Sequence, residues 1–140
     1  MKKTFSLLTL AAALAASVSI VGCSGSSSSS DDVIKIGVFE PLTGANGAGG
    51  ADEYDGIKLA NKLSPEVLGK KVQLVVVDNK SDKVEAANAA TVLAQKEKVN
   101  AVLGSWGSSL SMAGGPIFAE AKIPAVAVSE TNPAVTIKPG

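Results

Sequence analysis

The feature that most constrains this chain is a fourfold alternation between strand-like and helix-like stretches beyond Asp32. Val33 to Phe39 is β-branched and apolar and predicts the first strand. Asp52 to Leu63 then places Tyr54, Ile57, Ala60 and Leu63 on one helical face. Val72 to Val77 is a nearly continuous apolar run, as in a strand covered on both faces of a parallel sheet. Asp82-x-x-Glu85 has capping-box spacing and opens an Ala-rich helix to about Lys98. A short strand follows at Ala101 to Leu103. A third helix is predicted over Ser108 to Ala121, kinked or interrupted by Pro116, and a fourth strand over Ile123 to Val128. Strands separated by helices of this length imply right-handed crossovers, hence an α/β fold with a doubly wound parallel sheet. Such sheets bind ligands beyond the carboxyl ends of their strands. The loops after Phe39, Val77, Leu103 and Val128 are therefore the places to look.

Not all of the 140 residues can enter that fold. Met1-Lys2-Lys3 followed by the apolar run Phe5 to Ile20 has the pattern of a secretory signal peptide, and it is short for a membrane span. The leader is assigned to residues 1–22. Ser24 to Asp32 has nothing to bury and reads as a flexible, Ser-rich tether. Residues 33–140 remain as the folded part. Without Lys2 and Lys3 the chain carries 11 basic against 13 acidic residues, which argues against a nucleic-acid partner. It has no His and no Arg, so it cannot build a His-based nucleophilic apparatus, a His-ligated metal site or a guanidinium clamp. No catalytic residues, metal or cofactor are assigned. Cys23 is the only Cys, which rules out an internal disulfide within this chain.

Gly107-Ser108-Ser109 lies where a strand hands over to a helix. The unpaired N–H groups and positive dipole end of a helix favour an anion, and a Ser there adds a hydroxyl. Ser108 is also suited to be a plain N-cap. Trp106 sits in the same loop, either covering a ligand's apolar part or packing between strand ends. Glycines at 44, 47, 49 and 50 follow the first strand, yet their spacing gives neither the dinucleotide nor the Walker fingerprint. Asp78 and Asp82 read as solvated or capping residues.

Several segments in order resemble one family. They are Ile36-Gly37-Val38 with Pro41-Leu42-Thr43-Gly44, Gly56 to Ala60, Val76-Val77-Asp78, Gly104 to Ser109, and Ser129-Glu130-Thr131-Asn132-Pro133. Together they resemble the type I solute-binding proteins of ATP-driven transporters, in the branched-chain amino acid receptor branch. Ile20-Val21-Gly22-Cys23 in turn resembles a bacterial lipobox. The resemblance implies a partial first lobe of a two-lobed fold, with an amino acid as ligand and a transporter permease as partner. It implies Ser108, Ser109, Ser129 and Thr131 as ligand contacts, with Trp106 beside them. The lipobox implies acylation of Cys23 and a lipid anchor on the outer or periplasmic side of the membrane. Glu130 departs from the family pattern, which leaves the local backbone and the ligand's charge preference open. Two other readings stand beside this one: a sensor lipoprotein of the same fold, and a nucleotide- or phosphate-binding α/β domain.

Overall fold

Strand β1, Val33–Glu40, is the middle of the sheet, and its apolar side chains alternate between two faces that each need cover. The computed structural model describes residues 33–137; the leader, Cys23 and the tether lie outside the described residues. Helix α1 spans Gly47–Leu63, β2 is the two-residue Glu66–Val67, and β3 is Lys70–Asp78. Helix α2 spans Lys83–Thr91 and continues as a π-helical segment over Val92–Glu97. Strand β4 is Ala101–Leu103, helix α3 Ser108–Glu120 and strand β5 Ala125–Val126, followed by a 3-10 turn at Pro133–Val135. The strands lie in the order β2-β3-β1-β4-β5. All neighbours run parallel except β2, which pairs antiparallel with β3. This is the expected α/β crossover topology, with one extra edge strand too short to carry a periodic signal.

The connection β1–α1–β3 runs outward to one side of β1, and β3–α2–β4 and β4–α3–β5 then run to the other. Right-handed crossovers therefore put α1 on one face and α2 with α3 on the opposite face. Phe39, Val102, Ala86, Ala90, Leu93, Leu110 and Phe118 form the core beneath α2 and α3. Phe39 and Phe118 meet edge to face with centroids 5.4 Å apart. Alanines at 86, 89 and 90 let α2 approach closely, as does Gly114 of α3, where an added Cβ would sit 2.8 Å from Phe39.

Four elements differ from expectation. Helix α1 starts at Gly47, five residues before Asp52, so most of the glycine-rich stretch is helix and the loop shrinks to Pro41–Asn46. The Ala-rich helix does not stay α-helical to Lys98; it widens after Thr91, carries Leu93 and Ala94 into the core, and ends at left-handed Lys98 with φ 53°. Strand β5 keeps only Ala125–Val126 of the expected six residues because β4 offers just Val102 and Leu103 as partners, and Pro124 has no N–H to donate. Strand β3 is not covered on both faces: Val75 and Val77 pack on the core, whereas Val72 and Leu74 border an open groove. Helix α3 itself runs through Pro116 as one element.

Candidate functional site

Strands β1 and β4 are neighbours whose chains leave toward opposite faces, which makes their carboxyl ends the switch point where open α/β sheets bind ligands. The loops after Glu40 and Leu103 lie there, and the segment after Val126 joins them. Its two strand-end carboxyls illustrate how differently one site treats similar groups. Asp78 faces Glu40 across the β1–β3 ladder. Thr43 Oγ1 donates to Asp78 Oδ2 at 2.6 Å, and the N–H groups of Leu42 and Lys80 donate to Oδ1 at 2.8 Å each. Partial burial alone would raise its pKa, but these donors outweigh that and hold the carboxyl below its ordinary range. Asp78 thus staples the β1–α1 loop, a role more specific than solvated.

Glu40 is fully buried and receives one hydrogen bond, from Trp106 N–H to Oε2 at 2.7 Å. Burial raises its pKa first, the Trp106 amide opposes that, and contact with Glu53 raises it further, leaving it pushed up to about 8. Asn79, equally buried, donates to Ser105 Oγ at 3.0 Å and so ties the end of β3 to the loop after β4.

Helix α3 begins with Gly107 as N-cap, at φ 118° and with no side chain to satisfy the first amides. Ser108 is therefore not the cap but the first helical residue, and its Oγ accepts from Asn132 N–H at 3.2 Å. That bond draws the segment after β5 over the helix terminus, so Ser108, Ser109, Ser129 and Thr131 come from two loops at one end of the sheet. Ser109, Ser129 and Thr131 are exposed there. Trp106 does not pack between strand ends. Its indole lies over Gly49 of α1, where a Cβ would come within 2.4 Å of the ring, and the residue stays 42% exposed.

Glu130 turns inward. Ser105 N–H donates to Oε1 at 2.8 Å, Ser111 Oγ contacts the same oxygen, and Ser129 N–H donates to Oε2 at 3.1 Å. Both carboxylate oxygens are satisfied within the fold, so the departure at Glu130 braces the loop backbone. Among the described residues, no cluster of three or more His, Cys, Asp or Glu could hold a metal, and no helix is long and apolar enough to cross a membrane.

A family model described as periplasmic binding protein matches residues 33–139. The chain belongs to the periplasmic binding protein family. An amino acid binding protein of Pseudomonas aeruginosa is 33% identical over 108 residues, which cover 75% of this chain and 29% of that protein. The structure resembles the leucine binding protein LivK of Thermotoga maritima, with TM-score 0.73 and 45% identity over 75% of this chain. It also resembles the branched-chain amino acid transporter substrate binding protein LivJ of Streptococcus pneumoniae, solved with isoleucine, with TM-score 0.71 and 33% identity over 74% of this chain. The chain spans 30% and 31% of those two chains. These relatives are solute-binding proteins rather than enzymes.

Sequence reasoning passed over Glu40, Glu53, Asn79 and Ser105. The available signal, an acid at the end of an apolar strand, is shared by Glu40 and Asp78, and only packing tells which of the two is buried.

Proposed function

We propose that this periplasmic binding protein captures an amino acid outside the cytoplasm for an ATP-driven transporter, with a branched-chain side chain as the preferred ligand. The observation that supports it most is the start of α3. A glycine N-cap leaves the Ser108 and Ser109 amides without a side-chain cap, beside two hydroxyl-bearing loops. An α-carboxylate is a natural guest for such a helix terminus. With no Arg in the chain and no Lys in Trp106–Ser109 or Ser129–Thr131, amides and hydroxyls are what these loops have to offer. Ser108, Ser109 and Thr131 contact the carboxylate in this reading, Ser129 approaches the ammonium through its backbone, and Trp106 borders the apolar part. The two structural relatives above, a leucine binding protein and a protein solved with isoleucine, favour aliphatic amino acids.

The test is calorimetric titration of the intact protein with L-leucine, L-isoleucine, L-valine and charged amino acids. Saturable binding of the aliphatic ones is expected, and Ser108→Ala should weaken it about tenfold, the size of a lost hydrogen bond to a charged group. Unchanged affinity in that variant would sink the site assignment. Anchoring through acylated Cys23 belongs to the same proposal. Cys23→Ala should release the protein from the membrane fraction or leave uncleaved precursor, and unaltered fractionation would refute it.

A further inference from the structure

We propose that Glu40 is a positioning residue for the ligand loop, holding the Trp106 amide while it shares one proton with Glu53. The proposal rests on the reading that Trp106 to Ser109 faces the ligand. Three carboxyl oxygens at this place are buried with no hydrogen-bond partner: Oε1 of Glu40 and both oxygens of Glu53. Two acids in contact have only acceptors to offer each other when both are ionised. One proton removes the conflict: the Glu40 O–H donates to the Glu53 carboxylate, and Glu40 Oε2 still accepts from Trp106.

The acidic neighbours favour that state, and the Trp106 amide alone opposes it. The charged groups acting on Glu40 are Glu53 from α1 and Glu130 from the loop after β5, both acidic. The other buried polar side chains at this strand end, Asn79 and Ser105, are neutral. Gly104 presses on Glu40 Oε1 so closely that an added Cβ would stand 2.6 Å away, which leaves little room for water. The raised pKa of Glu40, about 8, agrees with this geometry. The carboxyl therefore links three elements: β1 through its own backbone, α1 through Glu53, and the β4–α3 loop through Trp106. Above pH 8 Glu40 ionises beside Glu53, and the repulsion loosens the amide it holds.

The linkage has a definite sign. Between the ordinary value of 4.5 and about 8 the folded protein keeps a proton that the unfolded chain has released. Stability therefore falls as pH rises through that window and levels off above it.

The experiment compares the intact protein with Glu40→Gln, Glu40→Ala and Glu53→Gln across pH 5 to 9. Hydrogen–deuterium exchange of Ser105 to Ser109 and L-leucine affinity are read in parallel, with exchange corrected for the intrinsic rate. Gln copies the neutral acid: its carbonyl accepts from Trp106 and its amide donates to Glu53. In the wild type, exchange should quicken and affinity weaken as pH passes about 8. Glu40→Gln should hold both flat, while Glu40→Ala speeds exchange at every pH and weakens leucine at least about tenfold. Glu53→Gln should move the transition to lower pH. A wild-type pH profile in Glu40→Gln overturns the shared proton, and unchanged exchange in Glu40→Ala overturns the positioning role. Should Glu40→Ala not fold, an unmoved transition in Glu53→Gln overturns the pair. Failure of every amino acid to bind the wild type would count against the proposed function, and the exchange profiles would still decide the role of Glu40.

Discussion

The two faces of the sheet are built to different standards. Under α2 and α3 the side chains of Phe39, Leu93, Val102, Leu110 and Phe118 are nearly inaccessible and interlock with alanines. Under α1 the sheet shows Ile34, Ile36, Val72 and Leu74 to a groove of about 620 Å³, with Ile57 the one large buried side chain of the helix. Leu59 and Leu63 on α1 are 57% and 75% exposed. The strand residues on the α1 side, Ile34, Ile36, Val72 and Leu74, are no less apolar than Gly37, Phe39, Gln73 and Val75 on the other, so apolarity does not explain the difference. What separates them is how many helices lie over each: two on one side and one on the other. Small residues then decide how close those helices come.

The largest expected contrast lies in the core. Phe118→Ala should destabilise the intact protein by about 3–5 kcal/mol, the usual cost of emptying an aromatic core site, measured by urea unfolding. A loss below 1 kcal/mol would show that the α3 face tolerates voids and erase the distinction. Next in size is Gly114→Ala, whose new methyl meets Phe39 and Ala90; about 1–3 kcal/mol should be lost to overpacking. The same change at Gly56 of α1 meets nothing within 4 Å, so it should stabilise by about 0.5–1 kcal/mol through helix propensity alone. If both glycine variants lose stability alike, something else packs against α1. Smallest is Leu63→Ser on the open side, expected to stay within about 0.5 kcal/mol, as exposed sites do. A cost near 2 kcal/mol there would mean that the groove side is covered in the intact protein.

Much of the architecture is legible in the sequence. Apolar runs marked β1 and β3, helical spacing marked most of α1, capping-box spacing marked α2, and crossover handedness then left few topologies. Local chemistry was equally readable where neighbours in sequence are neighbours in space. Asp82 accepts from Val84 N–H at 2.8 Å and Glu85 N–H at 3.0 Å, as its capping spacing predicts. The positions of Trp106, Ser108, Ser109, Ser129 and Thr131 after strand ends also followed from the pattern, whereas the ligand role proposed for them comes from the family resemblance.

Other features depend on residues far apart in the chain, and no window of sequence contains them. The short β5 reflects how little of β4 is available to pair with it. The early start of α1 goes with Gly49 lying under the Trp106 indole, a partner almost sixty residues away. The charge states of Glu40 and Asp78 are the sharpest case. Both are acids at the ends of paired strands, and sequence offers no ground for treating them differently. Thr43, Leu42 and Lys80 give Asp78 its donors from the adjoining loops, whereas Glu40 is buried against Glu53 and Gly104 with a single amide to receive. Periodicity and handedness are properties of the chain itself. A carboxyl's charge is set by the donors and the burial that packing brings to it, and those come from elsewhere in the fold.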